Sequence, residues 1–312
     1  MYKDRRIGVV IPAYNEERLI VQALETIPEF VDLVVVIDDG SKDATSHKVI
    51  EASQCDPRIY LLRNPSNQGV GASVVRGHEY MLEQGVDCVA VMAGDAQTDP
   101  AHLHWLLDKL IDERYDMAKG NRLLHPNATR TMPRYRLLGN MVLTLLTKFA
   151  SGYWSLLDSQ NGYVAFNSEI LRRLDLSRIA RGYDLENSML IQLNIVHARV
   201  ADVTMPAIYG EEESGIRVWR VIPRMLLTLL AGFWQRIYLK YVLYSFHPIA
   251  LLFFFGALLT LWGLGIGIWV GINSLGPESA TAGSVMLSVL PFLVGFQLLL
   301  AALVLDILDE PK

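Results

Sequence analysis

Two stretches near the C-terminus contain no charged residue: Ile249 to Ile272, and Ser284 to Leu305. Each is longer than the roughly 20 residues that carry an α-helix across about 30 Å of hydrocarbon. A pair of adjacent helices that are apolar on every side is unusual inside a soluble domain, where one face normally meets water. A transmembrane hairpin is therefore expected, in preference to two buried core helices. The segment between them, Asn273 to Gly283, carries Glu278 and no Lys or Arg, whereas Arg217, Arg220, Arg224, Arg236 and Lys240 precede the first stretch. The positive-inside tendency then puts both ends of the hairpin in the cytoplasm, together with everything N-terminal to it. Met1–Arg6 runs directly into an apolar strand pattern without an h-region, so no signal peptide is expected.

The remainder of the chain is of another kind. Strand-like runs alternate with helical ones: Ile7–Ile11, a helix over 16–26, Leu33–Ile37, a helix over 43–52, Ile59–Leu62, a helix over 71–83, and Cys88–Met92. This order predicts an α/β domain with a parallel sheet covered on both faces. After residue 115 a short strand at 117–120, a helix over 136–150, a strand over 162–166 and a helix over 184–196 are expected. Residues 217–244 read as one or two amphipathic helices, with Arg217, Arg220 and Arg224 on one face. Such a helix either lies in the headgroup layer, the preferred reading, or packs on the soluble domain. The division that follows is 1–214, 215–246 and 247–312. A net charge of −5 argues against a general nucleic-acid binder. The two cysteines, Cys55 and Cys88, read as reduced core thiols.

Ligands of a doubly wound sheet sit beyond the carboxyl ends of its strands, and polar clusters fall there: Pro12–Glu16, Asp38–Ser41 and Gly94–Gln97. No Walker motif or Gly-x-Gly-x-x-Gly occurs. The strand ends instead offer Asp38, Asp39, Asp43, Asp95 and Asp99. Any single one could be a turn or helix-cap residue; their joint placement points to a site. Acid there suits a divalent cation that neutralises a departing diphosphate. The histidines show no metal-binding spacing.

Val10-Ile11-Pro12-Ala13-Tyr14-Asn15-Glu16-Glu17, Val36-Ile37-Asp38-Asp39-Gly40-Ser41-Lys42-Asp43 and Asn67-Gln68-Gly69-Val70-Gly71-Ala72 together resemble the opening of family-2 glycosyltransferases. Within them, the whole chain most resembles the dolichol- or polyprenyl-phosphate sugar synthases. The likeness continues through Lys119–Arg122, Arg134–Asn140, Asp158–Phe166 and Tyr209–Ile216. It implies a GT-A nucleotide-sugar domain, a UDP- or GDP-sugar donor, Mg²⁺ or Mn²⁺, and a polyprenyl phosphate or other lipid acceptor at a membrane. It also implies roles. Pro12, Tyr14, Glu16, Asp38, Asp39, Asn67 and Gly69 match the nucleotide-contacting segments. The Asp-x-Asp metal motif falls on Ala93-Gly94-Asp95, so its first aspartate is absent; Asp95 and Gln97 remain as metal ligands. Arg122 and Arg136 match the arginines around an acceptor phosphate, and Arg134 is placed to join them, guanidinium forks being well shaped for phosphate oxygens. Asp158 matches the acidic position on the acceptor side. It would be a base toward a hydroxyl acceptor, or would orient the site for a phosphate, which is already an anion. Glu186 is a weaker candidate, equally readable as structural.

The leading expectation is an inverting transferase that moves a sugar to polyprenyl phosphate. A hydroxyl acceptor on a lipid or lipid-linked glycan is the alternative. A silent membrane scaffold, suggested by Ala93 alone, stands further back. Homo-oligomer formation is left open.

Overall fold

The computed structural model describes residues 1–94, 99–123, 134–206, 218–275 and 280–312, with backbone only at 134–138 and 218–221. Asp95, Gln97, Arg217 and Glu278, and the side chains of Arg134, Arg136 and Arg220, lie outside the described residues. The chain divides into two compact units, Met1–Phe233 and Trp234–Glu310.

The first unit is built on a seven-stranded sheet of order β3-β2-β1-β4-β6-β5-β7. The strands are β1 (Ile7–Ala13), β2 (Leu33–Asp38), β3 (Ile59–Arg63), β4 (Cys88–Val91), β5 (Met117–Asn121), β6 (Val164–Asn167) and β7 (Val200–Thr204). β1 and β2 are apolar at almost every position because both faces of the sheet are covered. Ile7, Val9 and Ile11 face one core layer with α1 (Ile20–Glu25), α2 (Thr45–Cys55) and α4 (Leu103–Ile111). Val10, Val35 and Ile37 face the other, with α3 (Val70–Glu83), α6 (Ser168–Arg173) and α7 (Leu185–Ile195). α5 spans Arg134–Ser151.

Three expectations need correction. The sheet is mixed: β6 runs antiparallel to both β4 and β5. β7, which pairs parallel to β5, has no counterpart in the sequence reading because its apolar run is broken by Asp202. Cys55 is exposed at the end of α2; only Cys88 is buried.

α8 spans Val218–Arg236. Met225 and Leu229 are buried, and Gly232 lies against Ile191, where a Cβ would approach within 2.2 Å. Thr228 donates to Asp184 at 2.6 Å, and Arg224 stands 3.6 Å from the same carboxylate. This face packs on α7. Leu226, Leu227 and Leu230 remain exposed on the other.

In the second unit, α9 (Pro248–Asn273) and α10 (Ala282–Leu308) are long and apolar enough to cross a membrane. At 1.5 Å per residue each is about 40 Å long. They pack antiparallel through small residues: Gly256 meets Leu299 and Gly295, and Gly263 meets Phe292 and Ser288, at distances that admit no side chain. The Ser288 hydroxyl donates to the Gly263 carbonyl at 2.9 Å.

A π-helical segment, Ile237–Tyr244, precedes α9. Arg236, fully buried, grips Asp306 of α10 through Nη1 at 2.5 Å and Nη2 at 3.1 Å. The Tyr241 hydroxyl donates to Asp306 at 2.6 Å, and Lys240 lies 2.8 Å from Asp309. The cluster ties the C-terminal end of α10 to the segment entering α9. Asp306→Asn is expected to destabilise this unit by about 3–5 kcal/mol, because it strands a buried guanidinium. The double change Arg236→Leu with Asp306→Leu should recover most of that loss. Thermal unfolding of the full chain in detergent checks both.

Candidate active site

Strand direction assembles the site. β1, β2 and β4 end together, so Pro12, Asp38–Gly40 and Ala93 share one edge. β6 enters the sheet antiparallel at that same edge, with Val164 opposite Lys119 of β5. The loop before β6, which carries Asp158 and Asn161, therefore meets the residues that follow β5, which include Arg122.

Asp38 and Asp39 are buried and already engaged. Asp38 accepts from the Ser41 amide at 2.8 Å and from the Ser46 hydroxyl, and lies 3.4 Å from Arg63 Nε. Asp39 accepts from Asn64 Nδ2 at 2.7 Å and from the Gln68 and Gly69 amides at 2.9 and 2.8 Å. Its carboxylate thus shapes the Asn67–Gly69 turn. Gly69 itself has φ +98°, and a Cβ there would come within 2.3 Å of the Arg181 carbonyl, so only glycine fits. Asn67 and Tyr14 are exposed beside this edge. The Glu16 amide donates to Thr45 at 2.9 Å. Asp43 and Asp99 take local turn and cap roles: Asp43 accepts from the Thr45 amide, and Asp99 from the Ala101 amide.

The acceptor-side pair is a fork. Arg122 Nε and Nη2 donate to the two oxygens of Asp158 at 2.8 and 3.1 Å, and the Arg122 amide adds a third bond at 3.1 Å. Burial opposes ionisation of Asp158, but the hydrogen bonds and charge of Arg122 outweigh it and hold the carboxyl below its ordinary value. The ion pair thus adds stability above the ordinary carboxylate range and loses it only as pH falls through the depressed value.

Beside the fork lies a cavity of about 240 Å³, with Pro12, Ala93, Lys119, Arg122, Asn161 and Glu186 among its lining residues. Lys119 is fully buried and donates to the Asn161 carbonyl. Burial lowers its pKa, against the opposing charges of Glu186, Asp158 and Asp202. Burial raises the pKa of Glu186, with Lys119 opposing. Acidification therefore protonates Glu186 ahead of Asp158. Of the two carboxylates, Glu186 has the character of a proton acceptor and Asp158 that of a fixed anion.

Lys119 was not singled out from sequence. A lysine on the same strand face as Met117, inside an otherwise buried strand, is the anomaly that marks it. Among the described residues no group of three His, Cys, Asp or Glu could hold a metal ion. Ala93, which lines the cavity, is the residue two places before Asp95 where the metal motif would have its first aspartate. Asp95 and Gln97, outside the described residues, supply hard oxygen donors by type. They fit Mg²⁺ or Mn²⁺ whose other positions go to diphosphate and water.

The sequence model of glycosyl transferase family 2 matches residues 8–175. The polyprenol monophosphomannose synthase of Mycolicibacterium smegmatis is 30% identical over 217 residues, covering 68% of this chain and 80% of the relative. The UDP-N-acetylglucosamine–dolichyl-phosphate N-acetylglucosaminyltransferase of Methanococcus voltae is 26% identical over 222 residues, 67% of this chain and 88% of its own. The undecaprenyl-phosphate mannosyltransferase of Micrococcus luteus is 27% identical over 215 residues, with 67% and 86% covered. Among solved structures, glucosyl-3-phosphoglycerate synthase from Mycobacterium tuberculosis, in complex with Mn²⁺, UDP and glucosyl-3-phosphoglycerate, superposes with a TM-score of 0.57. It shares 21% identity over 75% of this chain and 80% of that one, a likeness of fold.

Proposed function

Because the chain belongs to glycosyl transferase family 2, we propose that it transfers a sugar from a nucleotide diphosphate-sugar to polyprenyl phosphate, with inversion, at the cytoplasmic face of a membrane. The relatives named above act on polyprenyl-type phosphates. The observation that carries the reading onto this chain is the Arg122–Asp158 fork at the cavity. An arginine held by a buried aspartate is preorganised, so its positive charge is fixed at the cavity before an anion arrives. Arg134 and Arg136, from the start of α5, are proposed to complete the phosphate grip.

The chemistry asks little of the protein beyond placement. An acceptor phosphate oxygen attacks the anomeric carbon from the face opposite the nucleotide. The new carbon–oxygen bond forms as the bond to the diphosphate breaks, and the electron pair leaves with the diphosphate. A phosphate nucleophile needs no strong base. A divalent cation, proposed on Asp95 and Gln97, would offset the negative charge gathering on the leaving diphosphate; the fold neighbours bound to UDP with Mn²⁺ support it. Pro12, Tyr14, Glu16, Asp38, Asp39, Asn67 and Gly69 are proposed to form the nucleoside cradle, Asp38 and Asp39 by shaping its turns. Asp158 in a tight ion pair is a poor base, so transfer to a hydroxyl would have to draw on Glu186 instead. Mixing the full chain in detergent with labelled UDP- and GDP-sugars, polyprenyl phosphate and Mg²⁺ or Mn²⁺ tests the reading. Labelled lipid supports it, and no transfer from any donor contradicts it.

The chain is proposed to comprise a catalytic domain over 1–214, a juxtamembrane segment over 215–246 and a hairpin over 247–312. The Arg236–Asp306 pairing supports a hairpin whose two outer ends lie on one side. In a Cys55→Ser background, Leu275→Cys on the α9–α10 connection should react with an impermeant maleimide on intact cells. Labelling only after lysis would reverse the orientation.

A further inference from the structure

The cavity has two unlike ends. One end, toward the carboxyl ends of the strands, is charged, with Lys119, Arg122 and Glu186 among the lining residues. Its inner end lies toward Met117 and the residue paired with it across the sheet, Phe166. Val74, Leu185 and Met189 close that end from α3 and α7. Among the described residues, the polar side chain in this apolar wall is His78.

His78 stands on α3, two turns beyond Val70 and one beyond Val74, on the face that lines the cavity. It is fully buried, and its ring meets Phe166 edge-on with centroids 5.2 Å apart and planes at 76°. Neither ring nitrogen has a hydrogen-bond partner. Burial pushes its pKa down to about 4, so the ring is neutral and offers one N–H donor and one acceptor. An unpaired imidazole in apolar surroundings works against folding, and a phenylalanine would fill the place without that penalty. A group that arrives with the substrate is the natural partner.

The choice of group follows from the walls. The volume of about 240 Å³ falls below the roughly 300–1,000 Å³ of pockets that enclose a whole ligand. It therefore admits part of a substrate and leaves the diphosphate toward the charged end. An isoprenoid tail would match the apolar wall but bury His78 still unpaired. An unsubstituted hexose would press several hydroxyls against Met117, Phe166 and Met189 with one imidazole to answer them. An acylamino group fits both demands: its methyl lies against the apolar side chains, and its carbonyl accepts from the imidazole N–H.

We infer that the inner end of the cavity is the subsite for an acylamino substituent on the transferred sugar, and that His78 is its specificity-determining residue. The inference rests on the transferase reading and adds the class of donor sugar. It is tested by calorimetric binding of UDP-N-acetylglucosamine and UDP-glucose to the full chain in detergent with Mg²⁺. The wild type should bind the acylated donor at least tenfold more tightly. His78→Phe should bring that ratio close to one, whereas His78→Gln, which keeps a donor and an acceptor, should retain part of it. Equal affinities in the wild type, or a ratio unaltered by His78→Phe, overturns the inference. If His78→Phe does not fold, the wild-type ratio and the His78→Gln ratio decide. Transfer to polyprenyl phosphate is followed in parallel. A preference in binding with no transfer upholds the subsite and contradicts the transferase reading; transfer with no preference does the reverse.

Discussion

Arg122→Ala is expected to lower transfer to polyprenyl phosphate by a hundredfold or more while nucleotide affinity changes little. Two losses combine. A charge-assisted contact to the acceptor phosphate is worth about 1.5–3 kcal/mol, roughly ten- to a hundredfold in rate. The substitution also takes the two guanidinium bonds from the buried Asp158 carboxylate and leaves it only the amide of residue 122 among the three. Asp158→Asn should act through the same arginine, since an amide nitrogen turned toward the guanidinium cannot replace a carboxylate oxygen. A roughly tenfold loss is expected, and combining it with Arg122→Ala should add little, because partners in one network are not additive. Steady-state kinetics with varied acceptor, alongside direct nucleotide binding, separates these outcomes. Full loss in Asp158→Asn with a near-normal Arg122→Ala would shift the assignment to a hydroxyl acceptor that needs a base.

Asp95→Ala is expected to abolish turnover with the fold intact. Ala93 lines the cavity with a methyl where a second carboxylate would serve, so Asp95 carries the anionic part of the proposed cation site by itself. Loss of a sole carboxylate should remove the cation and with it the stabilisation of the leaving diphosphate. The thermal transition of the N-terminal unit should be retained. Turnover that survives both Asp95→Ala and excess EDTA would exclude a divalent cation from the reaction. The converse change, Ala93→Asp, should be tolerated and should tighten cation binding.

Much of this architecture could be read from residues alone, and the exceptions have physical causes. The two charge-free stretches are long apolar patterns, and β1, β2 and β4 are runs apolar at almost every position, which tertiary context does not override. Polar clusters after those strands mark the same sheet edge at which the cavity lies. The direction of β6 could not be read, because Val164–Asn167 is four residues with no periodicity that marks orientation. Yet that direction is what brings Asp158 to Arg122. Asp202 breaks the apolar pattern of β7 and hides that strand, whereas β5 is legible at 117–120 in spite of Lys119, whose buried charge is itself a sign of a site. His78 gave no signal either. Next to Gly77 on an amphipathic helix it looks like any surface histidine, and only the packing of α3 against Phe166 reveals that it is buried without a partner.

A competition between acceptors tests transfer to phosphate directly. The full chain in detergent is given one labelled nucleotide-sugar, Mg²⁺ or Mn²⁺, and equal amounts of polyprenyl phosphate and the corresponding polyprenol. Label should appear in polyprenyl phosphate alone, as a sugar linked through phosphate with the opposite anomeric configuration to the donor. Label on the polyprenol, or a product that keeps the donor's configuration, would contradict it.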